Sequence, residues 1–473
     1  MSGNGLPDLC DAAPRPADLV GHDTRWPPDA IDAHTARLAG GQAARGVGSG
    51  DRVAYQLPDG AGGVLVYRAC WHLGAVAVAV HPAAGADHLA TTLPTAEPAL
   101  LVGGGGMAVD DHPDAVDLAD LSGDPVGRRA VGPDDDAVVL FTSGSSGTPK
   151  GVVHTHGSLG HKARQSLDGH GLDDRDAVLV ATPLAHVSGL LHGVLVPGAG
   201  GLRTVLMSRW DPGAALDLIE SEAVTYMVGP PTLFIGLMDH PGFRAERVRS
   251  LRLLSCGGAG VTPTFAARAR RELGAVVKRA YGSTEAPTVA TCRHDDPPER
   301  MITTDGRAFP PTRLRVDGTG ELWVSGPELA RGYLDSDETA AAFVDGWFRT
   351  GDLATIDDGW LTITGRLGDR IIRSGENISA AEVERHLEAH PAVRAAVAVP
   401  EPHDRLGETV AAFVVAPDGF DLAACRAWFA ERGAARFITP ERIVVVAELP
   451  LLASGKPDRL ALRSRLGAGG NQP

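Results

Sequence analysis

The residues best suited to chemistry fall in three short stretches. Residues 141–151 read FTSGSSGTPKG, a loop in which Thr142, Ser143, Ser145, Ser146 and Thr148 supply hydroxyl donors. Gly144 and Gly147 let the backbone turn and aim amide N–H groups at an anion, while Lys150 adds a point charge. Such a loop is built to hold phosphate. It is not a Walker loop, because Pro149 precedes the lysine, and the following Gly151, Val152 and Val153 favour a strand where a P-loop opens a helix. Residues 280–286, AYGSTEA, join a ring (Tyr281), a hydroxyl (Thr284) and a hard carboxylate oxygen suited to Mg²⁺ (Glu285). Residues 347–354, WFRTGDLA, present Asp352, a carboxylate able to accept two neighbouring hydroxyls in a fork, with Arg366 as a further donor downstream.

These stretches need strands to carry them. Residues 137–141 form a continuous apolar run, the pattern of a strand buried on both faces, so the phosphate loop hangs from a rigid edge. Residues 29–44 have helical spacing; 52–56, 63–73 and 76–80 read as strand, helix and strand; and 177–181, 225–228 and 251–255 read as further strands. Alternation of this kind predicts an α/β fold with mostly parallel sheets. Gly103 to Gly106 read as a turn, since no dinucleotide fingerprint surrounds them. The 473 residues exceed what one core usually serves, and the 43% hydrophobic share is that of a folded globule. A net charge of −15 without long runs disfavours nucleic acid or an anionic membrane as partner. The five cysteines form no CxxC pair, so neither a disulfide framework nor a zinc site is indicated. With no basic, apolar leader and no apolar run long enough to span a bilayer, the expectation is a cytoplasmic protein without membrane insertion.

From about Leu140 to Arg459 the order of the motifs resembles the adenylate-forming superfamily: acyl-CoA synthetases, carrier-protein adenylation domains and firefly-type luciferases. The resemblance implies a large N-terminal multi-subdomain α/β domain, residues 1–366, and a small mobile α+β domain, residues 367–473. It implies ATP, Mg²⁺ and coenzyme A as cofactors and a small carboxylic acid as substrate. Nucleotide contacts would come from Thr142, Ser143, Gly144, Ser145, Ser146, Gly147, Thr148 and Lys150, from Gly258 and Ala259 against adenine, and from Ala280, Tyr281, Gly282, Ser283 and Thr284. Asp352 and Arg366 would serve the ribose, and Thr142 and Glu285 the metal. The catalytic set would be Lys456, Thr284, Glu285 and His186.

The gate segment PLAHVSG, residues 183–189, would place His186 beside the substrate carboxylate. The acid pocket would be lined by His186, Val187, Ser188, Gly229, Gly258, Ala286, Pro287 and Thr288, small residues without formal charge, which favours a bulky hydrophobic acid. Amino-acid-activating relatives carry an aspartate where Val187 stands, and Val187 cannot pair an ammonium. Ser374, Gly375, Glu376 and Asn377 would line the thiol tunnel, Ser379 would cap the following helix, and Gly368 would be the hinge, where relatives have Asp or Lys. Arg279 stands where many relatives place Asn or Gln to read adenine, and arginine cannot accept a hydrogen bond. The implied activity is ATP-dependent formation of an acyl-adenylate and then a thioester with coenzyme A. A stand-alone enzyme loading an acyl carrier protein differs only in the owner of the thiol; luciferase-type oxidation and a non-catalytic nucleotide sensor are the remaining readings. Lys456 and Glu285, whose loss would favour the sensor, are both present.

Overall fold

The computed structural model describes residues 5–11, 17–21, 24–143, 149–257, 261, 263–373, 376–417, 419–451 and 457–468. Its contacts divide the chain into two units, residues 1–314 with 324–349, and residues 315–323 with 350–473.

Two sheets build the first unit. In one, Val276–Tyr281, Leu253–Cys256, Tyr226–Gly229, Ala177–Val180 and Arg203–Leu206 lie side by side and parallel. In the other, Asp136–Ser143, Val76–Ala79, Arg52–Tyr55, Leu100–Gly103 and Ala115–Asp117 do the same. Strands buried on both faces need apolar residues throughout, and all four positions of Ala177–Val180 and of Val76–Ala79 are buried. Helices cover these faces. Pro28–Ala44 begins with proline at its first position, where no backbone donor is needed, and Ala61–Leu73 ends at the left-handed Gly74. Tyr67 and Trp71 of the latter are completely buried in the main core.

The expected elements are present with shifts of a residue or two at their ends. One differs in kind. Beyond strand Tyr226–Gly229, where paired prolines read locally as a rigid turn, a helix opens: Pro230 precedes it and Pro231 is its first residue, in Pro231–Asp239. A proline pair reads as a turn locally, but its second member also has the φ that starts a helix.

The second unit has a mostly antiparallel sheet in which Gly407–Val415 lies between Ala395–His403 and Arg370–Arg373, with Glu376–Ser379 beyond the latter and Arg442–Val445 pairing parallel to Gly407–Val415. Helices Ala380–Glu388 and Leu422–Glu431 bury Val383, Leu387, Cys425 and Phe429 in its core. Ser379 accepts from the Glu382 N–H and caps the first of them, as its sequence indicates. All five cysteines are buried and no disulfide forms among the described residues, and no helix among them is long and apolar enough to cross a membrane.

Candidate active site

Strand Asp136–Ser143 turns back as the antiparallel strand Pro149–Thr155, pairing Thr142 with Lys150 and Ser143 with Pro149. The phosphate loop therefore begins and ends on two paired antiparallel strands. Gly144, Ser145, Ser146, Gly147 and Thr148 lie outside the described residues, as do Gly258, Ala259, Ser374, Gly375 and Lys456. At the base of the loop, the Lys150 ammonium stands 3.1 Å from Glu338 Oε1 and 5.1 Å from the centre of the Tyr333 ring. The Tyr333 hydroxyl donates to Glu285 Oε1 at 2.8 Å. Burial, and next to it the Glu285 charge, push that phenol far above its ordinary pKa, so it remains a donor. The structure thus joins two of the sequence motifs, Lys150 and Glu285, through a tyrosine to which the sequence reading gave no role.

The stretch after Tyr281 is a tight loop. A side chain at Gly282 would meet the Thr288 nitrogen at 2.2 Å, which explains the glycine. Ser283 N–H donates to the Ala286 carbonyl at 3.0 Å, and Ser283 Oγ accepts from Ala286 N–H at 3.3 Å. Three of the loop's carbonyls meet donors from other elements. His154 Nε2 donates to Thr284 at 2.7 Å, Ala330 N–H to Glu285 at 2.8 Å, and Lys162 Nζ to Thr288 at 2.6 Å. Burial draws the His154 pKa down, so the ring is neutral and its Nε2 carries the proton, since a carbonyl can only accept.

Arg279 lies two residues before Tyr281 on strand Val276–Tyr281, so the strand's alternation puts both on one face. Its Nε and Nη2 reach Asp305 Oδ1 at 3.0 and 2.8 Å. The arginine is therefore held in a half-buried ion pair, and the acceptor it lacks stands beside it on Asp305.

At the acid side, His186 precedes the short helix Val187–Leu190 and its Nδ1 accepts from Ser188 N–H at 3.2 Å. Val187 is 7% exposed, Ala286 2%, and Pro287 is buried; Ser188 and Thr288 are half-buried. Gly229 ends its strand. The gate segment is clamped from behind at Leu184, whose N–H donates to Asp59 Oδ1 at 2.7 Å and whose carbonyl accepts from the Tyr67 hydroxyl at 2.8 Å. Burial raises the Asp59 pKa to about 6, against the lowering by its Leu184 bond.

In the second unit Asp352, on strand Trp347–Asp357, pairs directly with Arg366 of strand Trp360–Arg366. Arg366 Nε donates to Asp352 Oδ1 at 2.6 Å, and Asp352 N–H donates to the Thr350 hydroxyl at 3.0 Å. Arg366 thus holds the carboxylate itself. Gly368 is the middle residue of a 3₁₀ turn, Leu367–Asp369. Glu376 is exposed and pairs with Arg373 at the end of a hairpin, and Asn377 with Ile372.

Sequence reasoning passed over His154, Lys162, Tyr333, Asp59 and Asp305. Each acts on a neighbour distant in the chain, and none stands in a local pattern that signals it.

Parallel sheets carrying a phosphate hairpin and a Tyr-Gly-Ser-Thr-Glu loop, with a small antiparallel domain following, define an adenylate-forming architecture. The AMP-binding enzyme family model matches residues 15–334, and that of the AMP-binding enzyme C-terminal domain matches residues 382–456. The chain is 35% identical to a feruloyl-CoA synthase from Amycolatopsis, over 92% of this chain and 93% of that one. It is 32% identical to the medium-chain fatty-acid–CoA ligase of Escherichia coli, over 93% and 86%. The structure of ATP-bound MatB from Rhodopseudomonas palustris superposes with a TM-score of 0.90 at 26% identity, covering 98% of this chain and 99% of that one. The chain belongs to the AMP-binding enzymes, in the acyl-CoA synthetase branch of the adenylate-forming superfamily.

Proposed function

We propose that this protein is an ATP-dependent acid–CoA ligase that activates a hydrophobic carboxylic acid. The observation that carries the reading is the chain of contacts from Lys150 through Tyr333 to Glu285. It puts the phosphate-loop cation and a hard carboxylate in one braced cluster. A carboxylate approaching the α-phosphorus of ATP meets like charge, so the enzyme must offer fixed cations and donors where charge develops. Lys150 and the loop hydroxyls with Thr142 and Ser143 serve the phosphates, Thr284 the α-phosphate, and Lys456 the adenylation step. Among the described residues no three His, Cys, Asp or Glu side chains are grouped to hold a metal. That suits Mg²⁺, which takes one or two protein carboxylates and fills the rest of its shell with phosphate oxygens and water. Glu285, with Thr142, would hold it, and bound there it would neutralise charge on the phosphates.

Asp352, steadied by Arg366, would accept the ribose hydroxyls; Tyr281 would stack on the base, and Gly258 and Ala259 would lie against it. His186 borders the acid's carboxylate, and Val187, Ser188, Gly229, Ala286, Pro287 and Thr288 wall its tail. No fixed charge among them would pair an ammonium, which disfavours amino acids. In the second step the coenzyme A thiol displaces AMP past Ser374, Gly375, Glu376 and Asn377, the small domain (residues 367–473) having turned about Gly368. Coenzyme A is chosen over a carrier protein because the curated relatives above are CoA ligases and synthases. Incubation with ATP, Mg²⁺, coenzyme A and a panel of acids tests this. The expected result is acyl-CoA with AMP for octanoate, ferulate or a related acid. Faster turnover of acetate or free amino acids than of every hydrophobic acid would overturn the substrate class, and AMP without acyl-CoA would overturn the thiol.

A further inference from the structure

Helix His156–His170 carries a lysine that the reaction does not call for. Lys162 is 1% exposed, and its ammonium donates to the Thr288 carbonyl and to Gln165 Oε1, both at 2.6 Å. Burial draws its pKa down to about 8 even though Glu328 opposes the shift. Glu328 is completely buried; its Oε1 accepts from the Thr312 hydroxyl at 2.5 Å, and its Oε2 has no hydrogen-bond partner. Gln165 Nε2 in turn donates to the Phe309 carbonyl at 3.1 Å. No salt bridge joins the lysine and glutamate among the described residues. Two buried, unbridged charges are a poor way to fill a core, and apolar residues of the same volume are commonly as stable or more so.

What the ammonium grips explains why it is there. Thr288 has φ +43°, in the left-handed region, where a β-branched residue is strained. A strained residue persists when its surroundings over-determine it. One continuous segment supplies two of this loop's three anchors: His154 bonds the carbonyl of Thr284 and Lys162, eight positions later, that of Thr288. The same segment begins as the outgoing strand of the phosphate hairpin. It therefore sets the hairpin in register with the loop that bears Glu285 and the acid wall.

We propose that Lys162 is a positioning residue that fixes Thr288 in its left-handed conformation and so shapes the acid pocket, while His154 fixes the nucleotide end of the same loop. The proposal rests on the reading of Ala286 to Thr288 as acid wall. Lys162→Met keeps the volume and removes the donor. With octanoate or ferulate it is expected to raise the KM for the acid on the order of tenfold, leaving the KM for ATP and the kcat at saturating acid within about twofold. Glycine tolerates the left-handed region, so Thr288→Gly should recover part of the acid KM in the Lys162→Met background. A fall in kcat with both KM values unchanged, or no recovery by glycine, overturns the proposal. If the single variant does not accumulate as folded protein, Lys162→Met/Glu328→Gln removes both charges and carries the same expectation.

Hydrogen exchange separates this proposal from the ligase reading. In Lys162→Met, exchange should rise in a peptide covering residues 284–290 and stay at the wild-type rate in one covering strand Leu253–Cys256, whether or not any acid is turned over. Unchanged exchange at 284–290 overturns the brace; absence of turnover in the wild type with raised exchange in the variant overturns only the ligase reading.

Discussion

In the first unit the carbonyls of Thr284, Glu285 and Thr288 each meet a donor from a separate element, and the Glu285 carboxylate meets Tyr333. In the second unit the braced pair Asp352–Arg366 is followed, two residues on, by a glycine where an added side chain would meet nothing within 4 Å among the described residues. Groups that must already point at a developing charge are fixed from several sides, because reorganising them during the reaction would raise the barrier. A joint that must move between two half-reactions is better left without contacts to break. The contrast predicts that damage to the braced loop of the first unit lowers the chemistry of adenylation, whereas damage at the proposed joint shows in the step that needs the domain turned.

The largest expected effect crosses that division. Lys456 belongs to the small domain but, by the proposed mechanism, serves adenylation alone. Removing a cation that meets developing charge costs on the order of 10² to 10³ in rate, so Lys456→Ala should slow pyrophosphate release by about that factor. Supplied with synthetic acyl-adenylate, the same variant should form thioester at close to the wild-type rate. A parallel loss in both half-reactions would mean that the lysine acts in folding or in both steps.

Stability in the second unit should also depend on pH. Glu384 and Glu388 stand one turn apart on helix Ala380–Glu388. Arg459 bonds Glu384 at 2.8 Å, whereas among the described residues Glu388 has only the Ala396 N–H at 3.4 Å. Burial, and then the Glu384 charge, raise the Glu388 pKa to about 7. Its folded pKa thus lies above the unfolded one, so the native state holds the extra proton and stability falls as pH rises from about 4.5 to 7. Glu388→Gln should therefore stabilise the protein by about 2 kcal/mol at pH 8, after discounting for partial exposure, and by almost nothing at pH 4. Denaturant midpoints at the two pH values check this, and an equal gain at both would remove the carboxylate from the account.

Within the first unit, Tyr333→Phe keeps the ring under Lys150 and removes the hydroxyl from Glu285. The expected loss in adenylation is about tenfold, accompanied by a higher Mg²⁺ requirement, because the carboxylate is no longer oriented. A variant with wild-type Mg²⁺ dependence would assign the tyrosine to packing alone.

The sequence made the sheets and motifs legible because each is written locally. The apolar run before Thr142 and the valines after Lys150 are adjacent to what they position, and the hairpin follows from them. The braces were not legible. Lys162 reads as a polar position on a helix, and nothing within that helix says that its ammonium meets a carbonyl 126 residues away. Arg279 shows the same limit in a milder form. Its departure from the family pattern was visible, but its answer, Asp305, lies 26 residues on, beyond an intervening helix.

The smallest expected effect tests the open joint. Gly368, the proposed hinge, stands in the turn Leu367–Asp369, and its φ lies outside the left-handed region that favours glycine. Space and backbone both admit a side chain, so sterics do not explain the residue. Asp369 beside it is held 3.4 Å from Arg459, so one edge of the joint is anchored and the glycine supplies the freedom. Gly368→Ala should then leave stability within about 0.5 kcal/mol and slow thioester formation only slightly. Gly368→Pro, which fixes φ, should slow thioester formation several-fold more than it slows adenylation. Measuring pyrophosphate release and acyl-CoA formation separately in both variants decides the matter. If proline depresses the two half-reactions equally, the turn lies elsewhere in the chain, and the contrast between a fixed first unit and a free joint in the second loses its support.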